Sequence, residues 1–319
     1  MSESISNSEV VIDIQDLTKD YQVGFLKKRS VRALDHLTLQ VRRGEIFGFL
    51  GPNGAGKTTT LKLLMRLIFP TAGSARILGQ PIDHVGTRSR VGYLPENPYF
   101  YDYLSGRELL GYTAALFGIP PERAGERASE LIKLVGLDKE AADRQLRKYS
   151  KGMLQRIGIA QALVNDPEIV FMDEPMSGLD PIGRREVRDL FLSLREQGKT
   201  IFFSSHILSD VELLCDRAGI LTRGSLVRCG GLNEMTAKEG ATVEVIAVGL
   251  DISRLAGFLD GLHSVQSIAE SPNGIRLLLR DESSVDSALS LIRQAGGRLV
   301  SVNPQRVSLE DIFSRAEKG

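Results

Sequence analysis

The residues Gly51-Pro52-Asn53-Gly54-Ala55-Gly56-Lys57-Thr58-Thr59 concentrate more potential chemistry than any other stretch of the sequence. They fit the spacing G-x-x-x-x-G-K-[ST], in which a loop nearly free of side chains lets backbone N–H groups curl around phosphate oxygens. A helix that starts where the loop ends adds the positive end of its dipole. Lys57 is then placed to reach the β and γ phosphates of a nucleotide, and the Thr58 hydroxyl to ligate Mg²⁺. An ordinary glycine turn opening a helix is the competing reading, and the apolar run before the loop weighs against it. A second chemical pair, Asp173 and Glu174, closes the apolar run Ile169-Val170-Phe171-Met172. Carboxylates at the carboxyl end of a buried strand stand on the edge where open α/β sheets bind ligands. Asp173 suits the outer sphere of the magnesium, and Glu174 the alignment and deprotonation of an attacking water. His206 ends a further apolar run, Thr200-Ile201-Phe202-Phe203-Ser204-Ser205, on that same edge. His36, His84 and His263 lack such a setting and read as packed or exposed side chains.

These groups need elements to hold them. Ile46 to Leu50 reads as a buried strand feeding the glycine loop. The helix after the loop carries Leu61, Leu64, Met65 and Ile68 at helical spacing, and Phe69-Pro70 is expected to end it. Asp180-Pro181 caps a helix with Val187, Leu190, Phe191 and Leu194 on one face. From Val10 to about Cys229, β-branched runs alternate with helical periods, the pattern of a mainly parallel sheet covered by helices. Between Leu104 and Val164 the strand pattern stops and helices follow one another. Ser105 with Glu108 forms a capping box, Pro121 opens the next helix, and Gly136 closes it. Ser150 caps a later one with Met153, Ile157, Ala160 and Val164 on one face. Past Gly231 the order becomes strand (Val243 to Val248), helix (Ile252 to Leu259), strand (Val265 to Ala269), strand (Ile275 to Leu279), helix (Ser284 to Ala295), strand (Leu299 to Val302). That order matches the split βαβ arrangement of a small ferredoxin-like domain.

Composition narrows the partners. Lys plus Arg and Asp plus Glu are 40 each, so no global field draws the protein to nucleic acid or an anionic membrane. Two cysteines, Cys215 and Cys229, are too few for a disulfide framework or an all-thiolate zinc site. No apolar run is long enough to cross a bilayer, and Met1 to Ser8 lacks the basic and apolar regions of a secretory leader. The basic stretch Lys27-Lys28-Arg29 with Arg32 reads as a solvated hairpin loop, with lipid headgroups as the alternative.

Between the two chemical strands lies Tyr149-Ser150-Lys151-Gly152-Met153-Leu154-Gln155-Arg156. With this segment in place, the order of elements from roughly Ile12 to Gly230 resembles the nucleotide-binding subunits of ATP-binding cassette (ABC) transporters. Tyr149 to Gln155 resembles the family's signature sequence, Ser177-Gly178-Leu179-Asp180 its D-loop, and His206 its switch histidine. Tyr21 falls where the family stacks an aromatic ring on adenine. The signature keeps Ser150 and Gly152 but has Tyr149, Lys151 and Met153 where Leu, Gly and Gln are usual. In Gly92-Tyr93-Leu94-Pro95-Glu96, a glutamate stands where the family usually has its Q-loop glutamine. It can ligate Mg²⁺ through oxygen but cannot donate a hydrogen bond when ionised. Both variants, and the closing Ser308-Leu309-Glu310-Asp311-Ile312-Phe313, resemble bacterial exporters with separate membrane chains.

The resemblance implies an α/β fold, a P-loop NTPase core of ABC type with an inserted helical subdomain, and the order of elements past Gly231 adds a small α+β C-terminal domain. The corresponding limits are a flexible N-terminus 1–9, a nucleotide-binding domain 10–235 with its helical part at about 97–165, and an accessory domain 236–319. It implies ATP and Mg²⁺ as cofactors. Nucleotide contacts fall to Tyr21, residues 51–59, Ser150, Gly152 and Asp180, metal contacts to Thr58, Asp173 and Glu96, and catalysis to Glu174, His206 and Lys57. It also implies a head-to-tail homodimer, or a pair with a second cassette, enclosing two ATP. An integral membrane permease would be the partner, placing the subunit peripherally on the cytoplasmic face of the membrane. Export is the expected direction; an importer ATPase with a C-terminal regulatory domain is the rival. A DNA-maintenance ATPase would need a long coiled coil or zinc modules in the insertion, and a translation-type protein a second phosphate loop. Finally, Tyr99, Phe100, Tyr101 and Tyr103 cluster in a loop that can expose several rings to a partner.

Overall fold

The β-branched and aromatic runs of the chain pair into three sheets. The computed structural model describes residues 9–24, 29–237, 242–250, 265–271 and 274–305. By its internal contacts the chain divides into two units, Met1–Leu232 and Asn233–Gly319. The readings at Met1 to Ser8, Lys27-Lys28, Ile252 to Leu259, His263 and Ser308 to Phe313 lie outside the described residues.

Within the first unit, strands β1 (Val10–Val23) and β2 (Arg29–Arg42) form an antiparallel pair. With β4 (Ala72–Ile77) and β5 (Gln80–Pro81) they make a sheet of order β2-β1-β4-β5. The second sheet joins β3 (Ile46–Leu50), β6 (Val91–Leu94), β7 (Ile169–Asp173), β8 (Thr200–Ser205), β9 (Arg217–Thr222) and β10 (Ser225–Gly231) in the order β10-β9-β3-β8-β7-β6. All its pairings are parallel except β9 with β10. Strands β3, β7 and β8 are buried along their whole length, as strands covered on both faces must be. Phe202 stacks on Phe47 at a ring separation of 5.4 Å and meets Phe171 at a tilt, 5.7 Å away.

The expectation of one mainly parallel sheet therefore holds for only part of the unit. The antiparallel sheet turns Ile12, Ile14, Leu17, Leu37 and Leu39 inward, where they share a core with Phe47, Phe49, Leu61 and Leu63. Polar residues such as Asp13, Gln15 and Gln40 alternate with them on the outward side, the mark of a sheet with one wet face.

Helix α1 (Lys57–Leu64) stops five residues before the expected break at Phe69. Arg66 adopts φ 56° and the chain folds back on itself. Leu67 N–H donates to Lys62 O at 2.9 Å and Arg66 N–H to Leu63 O at 3.0 Å, the paired bonds of a Schellman stop. The Arg66 guanidinium then covers the Phe69 ring at 4.5 Å, which offsets the loss of helix with a cation–π contact.

Between β6 and β7 lie α2 (Gly106–Leu116), α3 (Pro121–Leu134), α4 (Lys139–Asp143) and α5 (Lys151–Ala162). The Ser105–Glu108 capping box opens α2 in both directions. Helix α5 buries Ile157 and Ala160 but also Gln155, Gly158, Ile159 and Ala162, so it is packed on more than the single face expected. Met153 is only half-buried, and Val164 lies past the helix end. Helix α6 (Pro181–Glu196) buries Val187, Leu190, Phe191 and Leu194, and α7 (Leu208–Leu214) follows β8.

Helix α8 (Leu232–Ala237) falls at the division between the units. The second unit contains β11 (Thr242–Val248), β12 (Val265–Ser271), β13 (Gly274–Leu279), α9 (Val285–Gln294) and β14 (Arg298–Gln305). Its sheet is antiparallel with order β12-β13-β11-β14, the first and third strands at the centre as in a split βαβ sandwich. Helix α9 places Ala288 and Ile292 in a core with Val243, Val245, Leu277 and Leu279. Among the described residues, no helix is long and apolar enough to cross a membrane.

Candidate functional site

Strand β3 delivers the glycine loop, and α1 begins at Lys57 directly after it. Gly56 adopts φ 110°, and a Cβ there would lie 2.5 Å from Ala33 O, so this position is closed to any side chain. The loop is thereby seated against β2. Residues 52–59 with Ala33, Glu96 and Glu174 line a cleft of about 330 Å³. Lys57 is buried, and its Nζ donates to Gly51 O at 2.6 Å and Pro52 O at 3.2 Å. The same Nζ lies 3.3 Å from Glu174 Oε1, within ion-pair distance but without hydrogen-bond alignment.

The parallel register of β7 and β8 sets Asp173 opposite Ser204. Ser204 Oγ donates to Asp173 Oδ1 at 2.6 Å and accepts from Glu174 N–H at 2.9 Å. One hydroxyl thus orients the first carboxylate and the backbone of the second. Glu174 adopts φ 50°, a conformation that costs a residue with a side chain about 1 kcal/mol or more and turns Glu174 into the cleft. Its Oε2 accepts from His206 Nδ1–H at 2.8 Å. Lys57, Glu174 and His206 therefore form a continuous polar chain across the carboxyl ends of β3, β7 and β8.

Asp173 Oδ2 and Glu174 Oε1 are buried without a hydrogen-bond partner. Unsatisfied buried carboxylate oxygens are costly, and a cation is one way to satisfy them. The Thr58 hydroxyl, Glu96 and Glu174 line the same cleft, so the donors are all oxygen, the set that suits a hard divalent ion such as Mg²⁺. Among the described residues, no group of three or more His, Cys, Asp or Glu forms a cage of its own. An ion here would be completed by phosphate oxygens and water, the usual arrangement for magnesium beside a polyphosphate.

Ser150, Gly152 and Asp180 lie elsewhere. With Lys151, Met153 and Gly178 they line a separate cleft of about 540 Å³ that shares no lining residue with the first. Ser150 Oγ accepts from Met153 N–H at 3.2 Å and caps α5, while Asp180 Oδ1 accepts from Gly183 N–H at 2.7 Å and caps α6. The Lys151 side chain folds across Gly178, and Gln155 Nε2 donates to Pro175 O at 2.7 Å, joining α5 to the turn after Glu174. Tyr21 lies near the end of β1, outside the residues that line the glycine-loop cleft. Lys19 Nζ stands 5.1 Å from the centre of its ring and donates to Phe69 O at 2.8 Å.

Two residues escaped the sequence reading. Ser204 is recognisable only through the register that sets it beside Asp173. Asp210, in α7, is 2% exposed, with Oδ2 unpartnered and Oδ1 3.6 Å from an Arg188 nitrogen on α6. Burial holds its carboxyl above the usual range against the pull of Arg184 and Arg188. Its only sequence signal is an acidic residue beside the apolar positions Val211 and Leu214.

The aromatic cluster divides. Tyr99, Tyr101 and Tyr103 are exposed, but Phe100 is buried, its ring 3.3 Å from where a Cβ would stand at Gly158 of α5. The loop exposes three of its four rings, because Phe100 anchors it to the helices.

A glycine loop between a buried strand and a helix, facing carboxylates at the end of β7 two strands away, defines a P-loop nucleotide-hydrolysing fold. Residues 34–177 match the ABC transporter family. An uncharacterized ABC transporter ATP-binding protein of Synechocystis sp. is 46% identical over 96% of this chain and 84% of its own length. The bacitracin transport ATP-binding protein BcrA of Enterococcus faecalis is 35% identical over 96% of both chains. Among solved structures, a dimeric post-hydrolysis state of an ATP-binding cassette bound to ADP and Pi has a TM-score of 0.64 and 25% identity, covering 69% of this chain and 98% of that one. The chain belongs to the ATP-binding proteins of ABC transporters, and it is an ATPase.

Proposed function

We propose that two copies of this chain, or one copy and a second cassette, close head to tail around two ATP and drive conformational change in an integral membrane permease. The observation that carries the reading is the separation of the glycine-loop cleft from the cleft of Ser150, Gly152 and Asp180. A Cβ at Gly152 would meet nothing closer than 3.6 Å within the chain, so no internal contact demands glycine there. A close approach from a second chain does. The capped start of α5 offers backbone N–H groups and a dipole to a γ-phosphate held on that chain's Lys57.

Within each site Glu174 aligns a water for attack on the γ-phosphorus and accepts its proton. The new oxygen–phosphorus bond forms as the bond to the ADP oxygen breaks. Lys57 and His206 oppose the charge that develops on the transferred group. Thr58, Asp173 and Glu96 are the residues that would hold Mg²⁺, which when bound supplies positive charge to the β and γ phosphate oxygens. Tyr21 stacks on adenine, its ring steadied by Lys19.

The permease would dock on a groove of about 520 Å³ lined in part by Leu67, Pro98, Tyr99, Leu116 and Phe117. The subunit would thereby sit on the cytoplasmic face of the membrane. Export is the direction inferred, supported by the likeness of the signature and of Glu96 to exporter subunits and by relatives named for bacitracin transport. The decisive experiment is co-purification with the membrane chain, together with Mg²⁺-dependent ATPase assays across protein concentration. Specific activity rising with concentration supports a shared site. A concentration-independent rate with no membrane chain recovered overturns it.

A further inference from the structure

The charges around the glycine-loop cleft do not balance. Its lining contains one cationic side chain, Lys57, and two carboxylates, Glu96 and Glu174. Lys57 is already matched by two loop carbonyls and by Glu174 Oε1 at 3.3 Å. His206 is likewise held by Glu174 at 2.8 Å, and buried Asp173 stands behind the same wall. The positive potential left for a polyphosphate comes from the loop N–H groups and the α1 dipole, equivalent to about half a charge. Glu96 is exposed at the rim, where solvent screens it in part but does not remove its field at contact range.

We infer that Glu96 makes nucleotide binding depend on a divalent cation more steeply than a glutamine in its place would. The inference rests on the reading of this cleft as the ATP site and adds to it a cation requirement set by one residue. A glutamine amide can donate a hydrogen bond directly to a phosphate oxygen or ligate a metal weakly through its carbonyl oxygen. An ionised glutamate can only accept, so Glu96 meets the polyphosphate favourably across a cation and repels it otherwise. The carboxylate strengthens the cation's hold on the cleft when both are present and weakens nucleotide binding when the cation is absent. By linkage, nucleotide raises the cation's affinity by the same factor as the cation raises the nucleotide's.

The test is titration calorimetry on the full chain with a non-hydrolysable ATP analogue, in excess Mg²⁺ and in chelator, for wild type and Glu96→Gln. The ratio of dissociation constants without and with Mg²⁺ is the quantity read. Glu96→Gln is expected to tighten metal-free binding by on the order of 10-fold at low salt while changing Mg²⁺-loaded binding by less than about threefold. Added salt should shrink the difference. Melting curves without nucleotide establish that both proteins are folded. If both affinities change together so that the ratio stays constant, or if the ratio rises in the variant, the inference is overturned. If the folded wild type binds no analogue even with Mg²⁺, the ATP reading of the cleft fails, and the inference with it.

Discussion

His206 Nδ1 lies 2.8 Å from Glu174 Oε2, so the residue that follows β8 holds the carboxylate that follows β7. Glu174 is thereby fixed between a histidine and the Lys57 ammonium, 3.3 Å from its other oxygen. A base held on both sides loses little entropy on reaching its working geometry. Glu174→Gln keeps the shape and removes the proton acceptor, so ATPase activity should fall by on the order of 10² to 10⁴-fold. Nucleotide should still bind, and size exclusion should reveal a dimer that persists in ATP. Full turnover by the variant would remove Glu174 from the catalytic role.

Sharing of each site between chains is testable by mixing. A Lys57→Ala chain and a Ser150→Arg chain are each expected to be inactive alone. In the mixed dimer one site carries both lesions and the other carries neither, so activity should reappear if one intact site turns over. Recovery should peak near equal proportions. Full activity in Ser150→Arg by itself would mean that the start of α5 serves no nucleotide.

For Tyr21, substitution by alanine should weaken ATP binding by about 1 to 3 kcal/mol, by analogy with base–aromatic stacking, and Tyr21→Phe should be mild. Because Lys19 stands over the ring, Lys19→Met should weaken binding less and add little to Tyr21→Ala. Equal nucleotide affinity in all variants, with only melting temperatures changed, would assign Tyr21 to the fabric of the sheet.

At the groove, Tyr99 is 95% exposed, whereas Tyr101 touches Tyr103 and Tyr112 at ring separations of 5.9 and 6.1 Å. Replacing Tyr99 and Tyr101 with serine should leave the isolated subunit folded and hydrolysing ATP but abolish assembly with, or stimulation by, its membrane partner. Tyr99→Ser alone isolates the interface from any packing role of Tyr101. A lowered melting temperature with assembly intact would assign Tyr101 to packing against Tyr103 and Tyr112 rather than to an interface.

Asp210 offers a pH test. Burial raises its folded-state carboxyl above the unfolded value. A raised carboxyl contributes stability below its unfolded value, and that contribution is lost as pH rises through the folded one. Asp210→Asn carries no such loss. It should therefore melt higher than wild type near pH 8, with the advantage shrinking as the pH falls toward the unfolded carboxyl value of about 3.9. A constant difference across that range would mean that Asp210 is held charged by Arg184 and Arg188.

Much of the molecule is determined by local pattern. The loop at 51–59 is legible because phosphate cradling requires glycine at fixed spacing, and Gly56 at φ 110° meets that requirement in full. Strands β3, β7 and β8 are legible because strands covered on both faces must be continuously apolar. The caps at Ser105, Ser150 and Asp180 follow from side-chain oxygens that can reach the first free N–H groups.

Tertiary structure decided what depends on register and on distance in the chain. Ser204 joins the site because β7 and β8 pair with Asp173 opposite it, and a slip of one residue would point it to the other face. Helix α1 stops at Leu64 because Arg66 takes a left-handed turn that apolar spacing does not encode. Phe100 was indistinguishable from its exposed neighbours until α5 supplied Gly158 beneath it. The separation of the Lys57 cleft from the Ser150 cleft arises in the same way. Sequence spacing sets how far apart two residues are along the chain, and only the packing of α5 and α6 decides which space they face.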